Sequence, residues 1–222
     1  GLGLGLTTRL AESGWRVFAG QYLADWPELS ALAERHPSAI DIVPLDVTSL
    51  DSVCAAANAV AERVDHIDVI ISNAGVTAGR SDLREGIDWH GMFHAFDVNA
   101  LGAIRVVQGF IPLTARGMRR LAFVSSEAGS IAASYRTDMY GYCMSKSALN
   151  MAVRLMFNEL RPEGYTFRLY HPGWVRGYLS GQKNMNADLE PEVAADHALP
   201  FFLEEREDED RLVLIDYQGR EW

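Results

Sequence analysis

Short apolar runs that stop at small or hydroxylated residues, separated by stretches of helical length, constrain this chain more than any other feature. Ile40-Asp41-Ile42-Val43-Pro44-Leu45 stops at Asp46-Val47, Val69-Ile70-Ile71-Ser72 at Asn73-Ala74-Gly75, and Arg120-Leu121-Ala122-Phe123-Val124 at Ser125-Ser126. Runs this short and this apolar read as parallel strands buried on both faces. Residues 16–20, 166–170 and 211–215 read as three further strands, with helices expected over 4–13, 26–36, 50–64, 96–114 and 142–159. Alternation of this kind, without linker or repeat, implies right-handed crossovers. The fold expected is therefore α/β, a single doubly wound parallel sheet with helices on both faces, in one domain over residues 1–222.

Bulk properties narrow the function. A net charge of -10 argues against a nucleic-acid or anionic-membrane partner. No apolar run approaches the roughly 20 residues of a membrane span. The start lacks the basic flank and cleavage pattern of a secretory leader, and the two cysteines, Cys54 and Cys143, read as packing residues of a reducing compartment. A cytoplasmic protein is expected. Residues 176–190 are polar and aperiodic, as in a mobile lid over a substrate, and the acidic stretch 204–210 reads as a solvated turn.

The chemistry concentrates at the strand ends, where ligands of open α/β sheets bind. Ser126 closes one apolar run, and Asn73-Ala74-Gly75 closes another with a turn that backbone can leave free for a ligand. Tyr142 and Lys146 stand four residues apart on a helix, so phenol and ammonium share a face. An ammonium beside a phenol favours the phenolate and tunes it as an acid or base for neutral pH. Gly1-Leu2-Gly3 opens a helix whose N-terminus suits phosphate.

Taken in order, these residues resemble the short-chain dehydrogenase/reductase family over essentially the whole chain, which implies a Rossmann-type sheet. By that resemblance Gly1, Leu2 and Gly3 are the end of the nucleotide loop. Gln21 and Tyr22 stand where the adenosine ribose is read, Asp46 and Val47 by the adenine, and Asn73, Ala74 and Gly75 beside the cofactor. Asn99 holds a relay water, Ser126, Tyr142 and Lys146 are the catalytic serine, tyrosine and lysine, and Pro172, Gly173 and Val175 form the turn against the nicotinamide. Ser126 precedes Tyr142 by sixteen residues rather than the usual thirteen or so, and the closing 216–222 segment is similar to the branch of sniffer-type carbonyl reductases and bacterial C-factor proteins. The family's first strand and first loop glycine are expected before Gly1. Gly177 stands where the family usually has a threonine on the pyrophosphate, which implies weaker cofactor affinity.

The implied reaction is hydride transfer between a nicotinamide and a small carbonyl or alcohol substrate. Neither Gln21 nor Tyr22 is an acid that would repel a 2′-phosphate, which favours NADP over NAD. A nucleotide-sensing protein and an assembly subunit of the same fold remain as alternatives. A homodimer or homotetramer is expected through the helices 96–114 and 142–159, with Ile104, Val107, Ile111, Leu149, Val153 and Met156 facing a partner copy. His90 and His94 have i, i+4 spacing, but no third ligand stands at metal-site spacing, and Trp89, Met92, Phe93 and Phe96 mark the segment as core or pocket, so no metal is expected. Glu127 follows the catalytic serine, and is read either as a contact for a cationic or hydrogen-bond-donating substrate or as a side chain that turns to solvent or pairs with a nearby arginine such as Arg136.

Overall fold

The computed structural model describes residues 1–77 and 82–222. Strands β1 (Val17–Gln21), β2 (Ile40–Pro44), β3 (Val69–Ser72), β4 (Arg120–Val124), β5 (Thr166–His171) and β6 (Leu214–Asp216) alternate with helices α1 (Leu2–Glu12), α2 (Pro27–Arg35), α3 (Leu50–Ala61), α4 (Trp89–Phe96), α5 (Gly102–Phe110), α6 (Tyr140–Leu160) and α7 (Pro191–Leu203). Every strand pairing is parallel. β1 pairs with β2, and β3, β4, β5 and β6 follow one another in that order, with Ile70 beside Leu121, Leu121 beside Phe167 and Leu169 beside Leu214. Among the described residues β1 and β3 do not pair, and an apolar cavity of about 410 Å³ lies along them, with Val17, Ala19, Val69 and Ile71 in its walls.

Helices cover both faces because each central strand is apolar in both directions. Successive side chains of a strand point to opposite sides. Leu121 and Phe123 of β4 thus enter a core with Val53, Val106, Val107, Leu149, Val153 and Phe157 from α3, α5 and α6. Ala122 and Val124 enter another, with Leu2, Leu6 and Leu10 of α1 and Ala194, Ala195, Ala198 and Phe202 of α7. Small side chains on α7 let it lie close to the sheet.

Three sequence expectations change here. The helix expected over 96–114 is interrupted: α4 passes into a π turn at Asp97–Leu101 before α5, and a 3₁₀ turn at Ile111–Thr114 follows. A π turn inserts one residue into the helical register and re-aims the side chains within it. Helix α7 had no counterpart in the sequence reading, because it is apolar on most of its faces and carries little periodicity. Val107, Leu149, Val153 and Met156, expected to face a partner copy, lie in this protein's own core, while Leu101, Met144, Met151 and Leu155 are the exposed apolar side chains of this helical layer, beside the half-exposed Ile104.

The acidic stretch 204–210 is a clasp rather than a solvated turn. Arg168 of β5 is fully buried, and its guanidinium donates to both carboxylate oxygens of Glu209 at 2.5 and 2.7 Å. It also donates to the carbonyls of Phe201 and Glu204, each at 2.7 Å. Arg120 of β4 donates to the carbonyls of Leu203 and Glu204 at 2.7 and 2.8 Å. The last carbonyls of α7, which no helical N–H can reach, are thereby satisfied. Burial opposes ionisation of Glu209, but the hydrogen bond and charge of Arg168 outweigh it and hold the carboxyl below its usual range. Removing one partner from a buried ion pair costs about 3–5 kcal/mol. Arg168→Ala should lose that much unfolding free energy in urea titrations, whereas truncating exposed Glu207 should change it by less than about 0.5 kcal/mol.

Candidate active site

The loop after β4 lies directly on α6. A Cβ at Gly129 would stand 2.7 Å from the Lys146 carbonyl carbon and 2.8 Å from its oxygen, so only glycine permits this approach. Polar contacts then fix the register. Ser147 Oγ and Asn150 Nδ2 donate to the Gly129 carbonyl at 2.9 and 3.3 Å, and Ser125 Oγ donates to Asn150 Oδ1 at 2.6 Å. Held this way, Ser126 at the end of β4 hydrogen-bonds with the hydroxyl of Tyr142 on the first turn of α6.

One turn further along, the Lys146 ammonium is buried and donates to the Val124 carbonyl at 2.9 Å. Asn99 sits in the π turn and faces inward, 1% exposed. Its Oδ1 accepts from the Val76 N–H at 2.8 Å, while Nδ2 donates to the Val76 carbonyl and to Ser145 Oγ, each at 2.9 Å. Because the Val76 N–H can only donate, the orientation of this amide is fixed by its partners. A Cβ on Gly75 would lie 3.4 Å from Asn99 Oδ1 and 3.6 Å from Lys146 Nζ, so the turn after β3, the π turn and α6 converge on one spot.

Electrostatics here follow burial rather than the ammonium–phenol pairing expected from the sequence. Burial pushes the Tyr142 phenol up to about 12, and Ser126 offsets this only in part. Burial likewise lowers the Lys146 ammonium to about 8. The ammonium stands 5.9 Å from the centre of the phenol ring. Tyr142 therefore keeps its proton across the neutral range.

On the nucleotide side, Gly1 caps α1, and a Cβ on Gly3 would stand 2.7 Å from Asn73 Nδ2. Gly1 and Gly177 are neighbours, and a Cβ on either would stand 3.4 Å from the other's Cα, an ordinary contact. Asn73 and Ala74 line the cavity beside β3. Leu2 is a core residue, and Gln21 ends β1 with its amide donating to the Trp26 carbonyl at 3.2 Å. Tyr22 is exposed. Asp46 Oδ1 accepts from the backbone N–H and hydroxyl of Thr48, and the Val47 carbonyl accepts from Arg105. Pro172 and Gly173 follow β5, and Val175 packs against the α1–α7 core.

Several contributors were not singled out from the sequence. Ser145 and Asn150 lie in the stretch 145–150, which is similar to the same carbonyl-reductase branch, but the sequence assigned neither a role of its own. His171 was quoted only as the start of the Pro172-Gly173 turn, yet its Nε2 lies 3.2 Å from Glu127 Oε2. Glu127 pairs with Arg136, the second of the two sequence readings. Trp26 meets Tyr178 edge to face at 4.8 Å, closing the rim near α1. Trp89, Phe93 and Trp174 are exposed and Met92 is buried, so the aromatic segment around His90 and His94 is only partly core. Among the described residues no cluster of three His, Cys, Asp or Glu side chains could hold a metal, and no helix is long and apolar enough to cross a membrane.

Comparison with known proteins agrees with this geometry. The family model described as enoyl-(acyl carrier protein) reductase matches residues 1–208. C-signal of Myxococcus xanthus is 46% identical over 116 residues, which cover 52% of this chain and 69% of that protein. An oxidoreductase of Schizosaccharomyces pombe is 36% identical over 85% of this chain and 72% of its own length. The crystal structure of NADPH-bound carbonyl reductase from chicken fatty liver superposes with a TM-score of 0.87 at 26% identity, covering 100% of this chain and 94% of that one. With its parallel sheet, its strand-end cleft and these relatives, the chain belongs to the short-chain dehydrogenase/reductase family and is an oxidoreductase.

Proposed function

We propose that this protein is a single-domain, NADP-dependent carbonyl reductase or alcohol dehydrogenase acting through Ser126, Tyr142, Lys146 and Asn99. The observation that carries the reading is the packing of Gly129 on α6, which brings the Ser126 hydroxyl to the Tyr142 phenol beside a buried ammonium. The residues present fit a dinucleotide: the α1 N-terminus offers unpaired N–H groups at Gly1–Gly3, and the buried Lys146 ammonium has three donors and one hydrogen-bond partner among the described residues. NADP supplies the hydride when bound. Gly1, Gly3 and Asn73 would hold its phosphate side and Lys146 its ribose, with Asn73–Gly75, Pro172 and Gly173 around the nicotinamide end.

Tyr142, protonated at neutral pH, gives its proton to the oxygen of a carbonyl substrate; in the reverse direction it is the phenolate that takes a proton from an alcohol. Ser126 hydrogen-bonds that oxygen, and Asn99 orients the relay water. NADP is preferred over NAD because neither Gln21 nor the exposed Tyr22 carries a charge that would repel a 2′-phosphate, and the chicken enzyme was crystallised with NADPH. The same reading puts the protein in the cytoplasm, its cysteines being unpaired. It forms a homodimer or homotetramer through Leu101, Met144, Met151 and Leu155.

Tyr142→Phe should remove nearly all carbonyl-dependent oxidation of NADPH, by 10²-fold or more on the general-acid scale, while nucleotide binding by fluorescence titration stays within about twofold. Activity close to wild type would sink the assignment. A second test uses the ammonium. Its folded pKa of about 8 lies below the ordinary 10.5, so between those values the unfolded chain binds more protons and stability rises with pH. Below pH 8 the folded state bears the whole cost of a buried ammonium. Lys146→Met should therefore gain stability relative to wild type at pH 7, by roughly 3 kcal/mol at most, and the gap should close as pH approaches 10.5. A constant gap would show that the ammonium is not strained by burial. For the assembly, Met151→Glu with Leu155→Glu should convert an oligomer to monomer mass in light scattering without lowering the melting temperature of the monomer.

A further inference from the structure

The segment that follows β5 crosses the nucleotide side of the cleft instead of standing clear of it. A Cβ on Gly1 would stand 3.4 Å from Gly177 Cα and 3.9 Å from the Tyr178 nitrogen. The Tyr178 ring meets Trp26 edge to face at 4.8 Å. Leu179 then reaches the turn after β3, where the Thr77 N–H donates to its carbonyl at 3.0 Å. Leu179 Cδ1 and Lys146 Nζ would each stand 3.6 Å from a Cβ on Gly75. Carbon atoms in direct contact are about 3.5–4.0 Å apart, so no layer of ligand atoms fits between Leu179 and that turn. Residues 177–179 thus run from the N-terminus of α1 to the lysine, the course on which Gly1, Gly3 and Lys146 would hold a dinucleotide.

Only the tip of this segment is free to lift. Its base is tied by the Arg176 N–H to the Leu189 carbonyl at 2.8 Å, the Leu189 N–H to the Trp174 carbonyl at 3.1 Å, and Arg176 Nε to the Ala187 carbonyl at 2.8 Å. Gly177 and Gly181 bracket the tip, and Gly181 holds a φ of 84° that suits glycine. Leu179 is already 43% exposed, so lifting it uncovers little further apolar surface.

We infer that residues 177–181 form a strap that closes the nucleotide groove of the free protein and has to lift before NADPH seats, so that strap and nucleotide compete for the same contacts. The inference rests on the proposed cofactor. It differs from a lid closing over a bound ligand in the sign of its effect. Contacts that hold the strap down weaken nucleotide binding, because the apparent dissociation constant is the intrinsic one divided by the fraction of open molecules.

NADPH binding followed by stopped-flow fluorescence tests this without turnover. Leu179→Ala removes the side chain over the Gly75 turn, and Tyr178→Ala removes the contact with Trp26. Each should bind NADPH more tightly than the wild type by about threefold or more, with the gain in the association rate and the dissociation rate within about twofold. Circular dichroism checks that each variant is folded, and unchanged or weaker binding in either folded variant overturns the inference. Amide exchange of the wild type gives an independent reading. The Thr77 amide should exchange faster when NADPH saturates the protein, since its acceptor leaves; unchanged or slower exchange would mean that the strap closes over the nucleotide, and overturns the inference. Failure of the wild type and both variants to bind NADPH at all would instead refute the proposed cofactor, so the two failures are distinct.

Discussion

A buried ammonium resting on a strand carbonyl sets the terms for the upper half of this protein. Lys146 reaches Val124 only if α6 lies against the end of β4, and that approach is what Gly129 allows and Ser125, Ser147 and Asn150 hold in register. The charge is costly to bury, which is why its pKa falls. Polar groups have gathered around the same spot, with Asn99 bridging Val76 and Ser145. The site is thus a set of mutually required contacts rather than four independent side chains.

Two carboxylate–arginine pairs stand at opposite ends of the parallel strands. Glu209 with Arg168 closes the amino ends by binding the carbonyls at the end of α7. Glu127 with Arg136 sits at the carboxyl ends, on the loop that carries Ser126. The same pairing therefore does different work at each end, and only its surroundings distinguish the two. At the Glu209 end the arginine's other partners are backbone carbonyls, which need the donors that Arg168 supplies. At the Glu127 end the carboxylate's other partners are Ser126 and His171, which have protons to exchange.

The strands and the order of the site residues were legible in the sequence because strands buried on both faces leave uninterrupted apolar runs, and β3 and β4 end where Ile71-Ser72 and Val124 do. Ser126, Tyr142, Lys146 and Asn99 stood out by position along that frame. What stayed hidden depends on tertiary contact. One inserted residue makes the π turn at Asp97–Leu101, and it leaves no trace in composition. Glu209 looks like its neighbours Glu205 and Glu207 until Arg168 is placed beside it. The raised phenol of Tyr142 follows from how much water is excluded, which spacing to a lysine cannot report.

The clasp at Glu209 also ties the two ends of the molecule together mechanically. Its carboxyl is held below the usual range, so its contribution is complete above about pH 4.5 and is lost as acid protonates it. The element released is α7, and α1 leans on α7 through Arg9 with Asp196 and through Gly5, where a Cβ would stand 2.3 Å from the Pro191 carbonyl oxygen. Helix α1 in turn presents Gly1–Gly3 to the opposite rim. α1 and α7 thus pack as one layer on the sheet, so the clasp at one end of α7 bears on the glycine-bearing rim through helix packing rather than through the strands.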